Sequence, residues 1–450
     1  MDQRQAGDGA GGLIIAAPAS GSGKTLITQS LLRLLKNSGY KVTSAKTGPD
    51  YIDPHFHALA SGRDCLNLDS WAMRPGLLAH LLERISERSE LTICEGVMGL
   101  FDGAAIDDGF ADGSTASLAR LTGWPVLLIV DAAKQAASVA ALVRGFVSHA
   151  PDVHIAGVIF NRVGSAAHAA ILSSACARHV PEVPVLGALP RQADLHLPER
   201  HLGLVQAGEQ QDIEEFLETA AAWLSRHINL SELVALARPA RKIDTPDHTP
   251  QIAPLGARIA VAQDTAFAFS YPSLLQSWHD AGAEIQLFSP LAGDSPDADA
   301  TAVYLPGGYP ELHAAQLAKG GFLPGLRKAA ERKAAIFGEC GGFMVLGQGL
   351  IDGQGSRHQM AGLLPVETSF EAPALHLGYR QITLQTDCAI GRQGQRFRGH
   401  EFHYASTGPD TAGQHLFRIA NAGGADMGET GCVAGSVAGS FVHLIDRVDD

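Results

Sequence analysis

The stretch LIIAAPASGSGKT, residues 13–25, decides the fold of the first part of this 450-residue chain. Its apolar beginning suits a buried parallel strand, and a Pro/Gly/Ser loop then leads into a helical pattern at Lys24. In such a strand–loop–helix unit, backbone N–H groups and the helix N-terminus point at bound phosphate. Lysine can reach the outer phosphates, and the following threonine can hold Mg²⁺. The predicted nucleotide-binding residues are Gly21, Ser22, Gly23, Lys24 and Thr25.

The loop departs from the strict pattern G-x-x-x-x-G-K-[ST], because Pro18 stands where the first glycine belongs. Loops of this deviant kind resemble those of the dethiobiotin synthetase group, which activates carboxylates by phosphorylation. ParA-like partition ATPases are an alternative, but they carry a second lysine near the loop start, where this chain has Ala16 to Ser20. The structural alternative to a phosphate loop is that these residues form a plain Gly/Ser turn between a core strand and a core helix.

The composition narrows the classes of function. A net charge of −13 argues against a general surface for nucleic acid or anionic membranes. No apolar run approaches the ~20 residues of a transmembrane helix. The six cysteines are scattered and form no metal-type C-x-x-C pair, which favours a reducing cytoplasm. We therefore expect a cytoplasmic protein that binds neither nucleic acid nor membrane.

Short β-rich runs recur at residues 40–45, 91–94, 125–130 and 155–160, separated by stretches long enough for helices. This alternation predicts an α/β domain with a parallel sheet and helices on both faces. A helical pattern at 211–237 closes it. The predicted boundaries are a disordered tail without signal-peptide features (1–11), a first domain (12–237), a Pro-rich linker (238–256) and a second domain (257–450).

Carboxylates follow two of these strands at the edge where doubly wound sheets bind ligands. Asp50 and Asp53 lie in KTGPDYIDPHFH, residues 46–57, and Glu95 begins EGVMGLFDG, residues 95–103, which also contains Asp102. Mg²⁺ prefers oxygen ligands and shares them with substrate phosphates. We therefore predict Thr25, Asp50, Asp53 and Glu95 as metal ligands. In the structural alternative, the aspartates cap a turn and the glutamate caps the next helix.

Two other polar residues end predicted strands. Asp131, in VLLIVDAAKQ, fits either a group on the nucleotide side or a structural role. Asn161, in GVIFNRV at 157–163, carries an amide that can contact the adenine edge, although asparagine at a strand end more commonly serves a turn. The resemblance to related ATP-dependent synthetases favours the base contact.

A second alternation begins at Arg258 and includes AAIFGECGGFMVLG, residues 334–347. Here a strand turns through a G-x-C-x-G pattern into an apolar helix, which is the thiol counterpart of the nucleophile elbow. A cysteine at a helix N-terminus also has its thiolate favoured by the helix dipole. We predict Cys340 as nucleophile, with oxyanion donors from Gly341 and from Gly308 in LPGGYPE, residues 305–311. A buried structural cysteine is the alternative.

A nucleophilic cysteine needs a base, and His443 in GSFVHLID, residues 439–446, stands where Cys/His amidotransferases keep theirs. Most of them place an acid two residues later, but this chain has Ile445 there and Asp446 one further on. His403, which follows Glu401 in GHEFHYAST, is the second candidate for the base.

Six motifs in order resemble the cobyrinate and hydrogenobyrinate a,c-diamide synthase family over nearly the whole chain: SGSGKT, TGPDYIDPHFH, CEGVMGLFDG, LPGGYPE, FGECGGFMVLG and GHEFHY. The resemblance implies an ATP-binding, dethiobiotin-synthetase-like domain at 12–237 and a class I glutamine amidotransferase-like domain at 257–450. It implies a carbon–nitrogen ligase that amidates two acetate side chains of a corrin in cobalamin biosynthesis.

The same resemblance implies ATP and Mg²⁺ as cofactors, with L-glutamine and a corrin polycarboxylate as partners. The motif wording is closest to the hydrogenobyrinate members, while cobyrinate or another tetrapyrrole such as Ni-sirohydrochlorin are the alternatives. A ParA-like partition ATPase and a non-catalytic amidotransferase-like sensor are alternatives of other classes. A homodimer is a further hypothesis.

Overall fold

The computed structural model describes residues 10–106, 111–192, 195, 199–200, 203–204, 206, 212–243, 251–408 and 414–448. Residue contacts divide the chain into two units, the first of residues 1–71 and 75–248 and the second of residues 72–74 and 249–450. Residues 1–9 of the predicted tail and 244–250 of the predicted linker lie outside the described residues.

The first unit is built on a parallel sheet. Its strands within the described residues are β1 (Gly11–Ala16), β2 (Val42–Thr47), β3 (Cys65–Leu68), β4 (Leu91–Glu95), β5 (Val126–Asp131), β6 (Ile155–Val163), β7 (Val185–Pro190), β8 (Glu199–Arg200), β9 (Gly203–Leu204) and β10 (Arg238–Pro239). The sheet order is β3-β2-β4-β1-β5-β6-β7, with parallel neighbours throughout this path. The predicted α/β class with a parallel sheet is confirmed.

Helices connect these strands. They are α1 (Lys24–Asn37), α2 (Asp53–Ser61), α3 (Pro75–Arg88), α4 (Thr115–Thr122), α5 (Val139–His149), α6 (Ala166–His179), α7 (Ile213–Ser225) and α8 (Leu230–Val234). The single helical pattern predicted at 211–237 corresponds to two helices, α7 and α8. They are separate because the side chain of Asn229 accepts a hydrogen bond from the N–H of Glu232 and so caps the start of α8. Apolar periodicity alone does not detect such a break.

The centre of the sheet forms the core. Residues 126–130 of β5 are buried, as are Leu13, Ile14 and Ile15 of β1, as expected for parallel strands covered on both faces. β5 pairs with β1 only from Ile14 onward, and β10 pairs antiparallel with Gly11 and Gly12. The first two residues of the predicted linker therefore extend the sheet.

The second unit begins with a further parallel sheet. The strands of its described part are β11 (Arg258–Ala262), β12 (Glu284–Phe288), β13 (Ala302–Leu305), β14 (Ala335–Glu339), β15 (Gly349–Ile351), β16 (Arg357–Gln359), β17 (Glu367–Ser369), β18 (His376–Leu384), β19 (Arg396–His403), β20 (Ser406–Thr407), β21 (Phe417–Asn421), β22 (Asp426–Thr430), β23 (Cys432–Ala434), β24 (Val437–Ser440) and β25 (Val442–Arg447). The first sheet has the order β12-β11-β13-β14-β24-β23 and is parallel except for its last pair.

The helices of this unit are α9 (Pro272–Asp280), α10 (Ala314–Leu317), α11 (Phe322–Glu331) and α12 (Gly341–Leu346), with 3-10 turns at Pro290–Ala292 and Pro310–Leu312. An antiparallel sheet of order β22-β21-β18-β19-β25 and a small sheet of order β16-β15-β17-β20 complete it. β24 leads through Phe441 into β25, so that the chain passes from one sheet to the other just before His443. None of the helices in the described part of either unit has the length and apolar character needed to cross a bilayer.

Candidate active sites

The phosphate loop between β1 and α1 has the backbone that its glycines allow. Gly21 and Gly23 adopt φ angles of 76° and 93°, a region that residues with a Cβ rarely enter. A Cβ on Gly23 would lie 2.3 Å from Nδ2 of Asn161. That amide nitrogen donates a hydrogen bond of 2.9 Å to the carbonyl oxygen of Ser22. Asn161 therefore supports the loop directly, and a glycine is required for its approach.

The other end of this amide also has a protein partner, since Oδ1 of Asn161 accepts from the N–H of Arg162 at 2.9 Å. An amide retains one more donor and acceptor position, so the adenine contact stays a prediction. The guanidinium of Arg162 pairs with Asp131 at 2.5 Å, and the other oxygen of Asp131 accepts from the N–H of Ala133 at 2.9 Å. These contacts favour a structural role for Asp131 over a role on the nucleotide side.

Lys24 begins α1 and points away from its helix. Its Nζ donates to the carbonyl oxygen of Met98 at 2.6 Å, in the segment that follows β4. Burial lowers the pKa of Lys24, while the negative charges of Glu95 and Asp53 act in the opposite direction. The ammonium is thus held at the mouth of the loop, where it can exchange the carbonyl for a phosphate oxygen.

Three of the predicted metal ligands come together beside this loop. The hydroxyl of Thr25 donates to Oε1 of Glu95 at 2.7 Å and lies 3.4 Å from Oδ2 of Asp53. Burial raises the pKa of Asp53 to about 7, with a further contribution from the charge of Asp50. Burial alone would raise the pKa of Glu95 as well, but Lys46 and His57 hold it well below its usual range. The cluster therefore combines an ionised carboxylate with one that titrates near neutrality.

Asp50 lies at the edge of the cluster and caps its turn. Its Oδ1 accepts from the N–H groups of Ile52 and Asp53 at 2.8 and 3.3 Å, and Oδ2 lies 3.6 Å from Nζ of Lys46. The capping alternative and the site interpretation are therefore both compatible with its geometry. Asp102 accepts from the N–H of Gly99 at 2.9 Å and closes the turn after β4.

The sequence interpretation missed Lys46, the next-to-last residue of β2. Its Nζ lies 2.7 Å from Oδ2 of Asp53 and 3.1 Å from Oε1 of Glu95. Burial would lower the pKa of Lys46, but Asp53, Glu95 and Asp50 raise it well above its usual value. A lysine near the end of a predicted strand, directly before a loop of carboxylates, is the signal that could have identified it.

His57 was also missed, although it closes the motif that contains Asp50 and Asp53. It is one helical turn after Asp53 on α2, and its Nε2 lies 2.7 Å from Oε2 of Glu95. Burial would lower the pKa of His57, but the hydrogen bonds to Cys65 and Glu95 raise it to about 10. The i, i+4 spacing from Asp53 was the available signal.

The phosphate loop and the carboxylates beside it border one cavity of about 910 Å³ in the first unit. Its wall includes Lys24, Lys46, Asp53, Glu95, Arg191 and Trp223. Within the described residues, no group of three or more His, Cys, Asp or Glu side chains has the arrangement of a closed metal site. The oxygens of Thr25, Asp53 and Glu95 instead suit Mg²⁺ that completes its coordination with phosphate and water.

Cys340 forms the predicted sharp turn of the second unit. It adopts φ 46° and ψ −104° between β14 and α12, and it is a free, buried thiol. Its backbone N–H donates to the carbonyl oxygen of Ser440 at 2.8 Å, which fixes the turn to β24. Burial raises the pKa of the Cys340 thiol above its usual range. A neighbouring base is therefore needed to generate the thiolate.

The glycine turn after β13 lies against this nucleophile. A Cβ on Gly307 would lie 3.3 Å from Cβ of Cys340 and 2.4 Å from Cε1 of His443. A Cβ on Gly341 would lie 3.0 Å from the backbone nitrogen of Gly308, the partner predicted for the oxyanion hole. The structure therefore brings Cys340, His443, Gly308 and Gly341 to one place.

His403, the second candidate for the base, has partners on both ring nitrogens. Nδ1 lies 2.9 Å from the carbonyl oxygen of Ala405, and Nε2 lies 3.0 Å from Oε1 of Glu401. The ring stacks on Phe441 with centroids 3.9 Å apart. Oε2 of Glu401 is bound in turn by Nε of Arg380 at 2.7 Å. This packing favours a structural role for His403 and leaves His443 as the candidate base.

Comparisons with known proteins agree with this division into two sites. Residues 13–205 match the model of the CobQ/CobB/MinD/ParA nucleotide binding domain, and residues 258–449 match the CobB/CobQ-like glutamine amidotransferase domain. Together with the relatives below, these matches make the chain a glutamine-dependent, amide-forming ligase.

Two curated relatives align over almost their full length. The chain is 52% identical to hydrogenobyrinate a,c-diamide synthase of Brucella anthropi, over 97% of this chain and 98% of the relative. It is 48% identical to the enzyme of that name from Rhodobacter capsulatus, over 97% and 99%. A solved structure of PurLQS from Thermotoga maritima shares 17% identity and a TM-score of 0.30, over 41% of this chain and 86% of that one, which is too low to add to the assignment. By its identity to the curated relatives, the chain belongs to the hydrogenobyrinate a,c-diamide synthase family.

Proposed function

We propose that this chain amidates the a and c acetate carboxylates of hydrogenobyrinate in cobalamin biosynthesis, using ATP and the amide nitrogen of glutamine. The observation that supports the proposal is that each of the two units gathers one set of candidate site residues. The first unit holds a phosphate loop faced by Asp53 and Glu95, and the second holds Cys340 beside His443. The choice of substrate is supported by the names of the relatives and by their sequence identity to this chain over nearly its full length.

The first site activates the corrin carboxylate. A carboxylate is a poor acylating agent, so its oxygen takes the γ-phosphoryl group of ATP and ADP leaves; ammonia then displaces phosphate to give the amide. Gly21, Ser22 and Gly23 supply backbone N–H groups to the phosphates, and Lys24 supplies a positive charge to the outer ones. These groups stabilise the transferring phosphoryl group electrostatically.

We propose Thr25, Asp53 and Glu95 as the residues that hold Mg²⁺, with Asp50 at the edge of the set. A bound Mg²⁺ supplies neutralisation of charge on the nucleotide phosphates. Lys46 lies within 3.1 Å of Glu95 and 2.7 Å of Asp53 and keeps both carboxylates in place. Asn161 fixes the loop through Ser22.

The second site releases ammonia from glutamine. The sulfur of Cys340 bonds to the carboxamide carbon, and His443 takes the thiol proton and passes it to the departing nitrogen. The N–H groups of Gly341 and Gly308 stabilise the negative oxygen of the tetrahedral intermediate. Water then cleaves the thioester and gives glutamate.

Mass spectrometry of the products tests the proposal. Purified protein is incubated with ATP, Mg²⁺, glutamine and, separately, hydrogenobyrinate, cobyrinate and Ni-sirohydrochlorin. We expect two successive exchanges of OH for NH₂ on hydrogenobyrinate. If an amide product forms only with one of the other tetrapyrroles, that tetrapyrrole is the substrate instead of hydrogenobyrinate. ATP hydrolysis without any amide product would favour a partition ATPase, and the absence of glutamine hydrolysis would favour a sensor.

We also propose that the protein works in the cytoplasm as a homodimer. The six cysteines are free, and all but Cys388 are buried, which is compatible with a reducing compartment. Light scattering after size-exclusion chromatography tests the oligomeric state, and a monomer mass would contradict it.

A further inference from the structure

The residues after His443 do not supply the acid that Cys/His sites commonly use. Ile445 is fully buried, and its side chain carries no hydrogen-bond acceptor. Asp446 accepts from the backbone N–H of Arg74 at 2.8 Å and from its Nε at 3.1 Å, within the second unit. The acid position found by counting along the chain is thus apolar, and the next carboxylate is committed to an arginine.

A different carboxylate reaches the imidazole. Glu339 ends β14 directly before Cys340, and its Oε2 lies 3.8 Å from Nδ1 of His443. The strand pairing explains this contact, because Glu339 is in register with Ser440, three residues before the histidine. Its Oε1 accepts from the backbone N–H of Leu444 at 2.9 Å. The carboxyl group is therefore held against the strand that carries the base.

The far side of the carboxyl group is fixed as well. The hydroxyl of Tyr304 donates to Oε2 of Glu339 at 2.7 Å. The Tyr304 ring packs against Trp278 and Phe337, with centroids 5.2 and 6.3 Å away. Glu339, Tyr304 and His443 are each at most 2% exposed. Two donors and a closed environment leave the carboxyl group little freedom.

We propose that Glu339 is the positioning residue of the glutaminase site: it orients the imidazole of His443 so that Nε2 faces Cys340, and it stabilises the imidazolium formed during proton transfer. The inference rests on the proposed roles of Cys340 and His443. At 3.8 Å the contact is longer than a hydrogen bond, and such contacts tighten when substrate binds. Nucleophile and positioning acid are then adjacent in sequence.

Burial disfavours the charged forms of both Glu339 and His443. Burial raises the pKa of Glu339 to about 7, although Leu444 N–H and Tyr304 lower it. Burial lowers the pKa of His443 to about 3, with contributions from His400 and His403 and an opposing one from Glu401. A proton on His443 favours the ionised form of Glu339, so each charge offsets the desolvation of the other. Glutamine hydrolysis should therefore decline as the pH falls through about 7, where Glu339 becomes protonated.

The test measures glutamine hydrolysis and ammonia-supported amidation on the same samples. Glu339→Gln keeps the shape and the acceptor for Leu444 but removes the charge. We expect kcat for glutamine hydrolysis to fall by roughly 10²- to 10⁴-fold with little change in KM, as when a triad carboxylate becomes an amide. The decline of glutamine hydrolysis as the pH falls through about 7, which is the acid limb of the pH–rate profile, should disappear. Ammonia-supported amidation and the melting temperature should stay close to those of the wild type.

Two further variants separate this role from a structural one. Tyr304→Phe removes a hydrogen bond that lowers the pKa of Glu339, so the acid limb should move to higher pH while the plateau rate persists. Asp446→Asn should lower the melting temperature, because it weakens the contact with Arg74, but it should keep kcat. An unchanged kcat in Glu339→Gln, or an unshifted limb in Tyr304→Phe, would overturn the proposal. Hydrolysis data decide this even if the tetrapyrrole proves to be a different one.

Discussion

Nε2 of His57 lies 2.7 Å from Oε2 of Glu95, and both side chains are buried behind the phosphate loop. The other oxygen of Glu95 accepts from Thr25 at 2.7 Å and lies 3.1 Å from Lys46. The Glu95 carboxylate, which borders the cavity of the first unit, is thus also contacted by the ring of His57, whose pKa is raised to about 10. Its orientation depends on a residue of α2, one helical turn after Asp53.

His57→Gln should destabilise the first unit and reduce amidation with either nitrogen donor. Removing one partner of a buried charge pair costs about 3 to 5 kcal/mol. The pKa of His57 is raised to about 10, so its stabilisation is fully present below its usual pKa and is lost as pH rises through about 10. Melting temperatures of wild type and variant should therefore differ most below the usual histidine pKa and converge as the pH rises through about 10.

His55→Gln is the matched control for this experiment. His55 lies on the same helix, but burial lowers its pKa. Its replacement should leave the alkaline decline of stability in place. Equal pH profiles for wild type and His57→Gln would contradict the role of the His57–Glu95 pair.

Lys24→Ala should abolish amidation with either donor while glutamine hydrolysis survives. Without this ammonium the outer phosphates lose a protein charge, and loss of such a group costs on the order of 10²- to 10³-fold in rate. Lys41→Ala is the control, because Lys41 is an exposed lysine paired with Glu90 at 3.9 Å. Product formation near the wild-type rate in Lys24→Ala would show that the loop is structural.

Asp50→Asn, Asp53→Asn and Glu95→Gln separate catalysis from turn capping. A lost cap costs only about 0.5 to 2 kcal/mol of stability. Loss of a phosphate- or metal-handling carboxylate should instead reduce turnover by orders of magnitude. We expect the largest rate losses at Asp53 and Glu95, because both approach Thr25, and a smaller one at Asp50.

The comparison for these three variants is rate against melting temperature, with ammonia as donor so that the glutaminase reaction does not interfere. Full activity at lowered melting temperature in all three would refute the site. A variant that makes the monoamide but not the diamide would mark a residue that handles the intermediate.

Cys340→Ser should abolish glutamine-supported amidation and leave ammonia-supported amidation intact, because the thiolate serves only the release of nitrogen. Cys388→Ser is the control, since Cys388 is a free cysteine of intermediate burial. Amide yields with glutamine and with ammonium chloride are measured in parallel. Equal loss with both donors would contradict the separation of the two reactions.

Gly307→Ala tests the packing around the nucleophile. The new Cβ would lie 2.4 Å from Cε1 of His443 and must displace the ring. Since a misplacement of about 1 Å can cost about 10²-fold, we expect glutamine hydrolysis to fall by that order while ammonia-supported amidation persists. Gly353→Ala, where no atom lies within 4 Å of the new Cβ, is the control. Unchanged hydrolysis in Gly307→Ala would show that His443 is not held against this turn.

The sequence by itself determined the local elements of this protein. Apolar runs and their spacing predicted the parallel sheet, and the glycines of SGSGKT and GECGG marked the two turns. The turn in SGSGKT is encoded locally, because the φ angle of 93° at Gly23 depends on the residue that occupies the position. In GECGG the positive φ belongs to Cys340, and Gly342 leaves room for the carbonyl oxygen of Leu305. The order of motifs also identified the family, which the relatives confirm.

Only the tertiary structure decided which side chains meet. Lys46 and His57 join the carboxylates because parallel pairing places β2 beside β4, a neighbour relation that no local pattern contains. In the same way, Glu339 rather than Asp446 faces His443, because β14 lies beside β24 and Arg74 binds the aspartate. Sequence distance does not measure spatial distance across a sheet, and contacts between strands are therefore fixed by the fold.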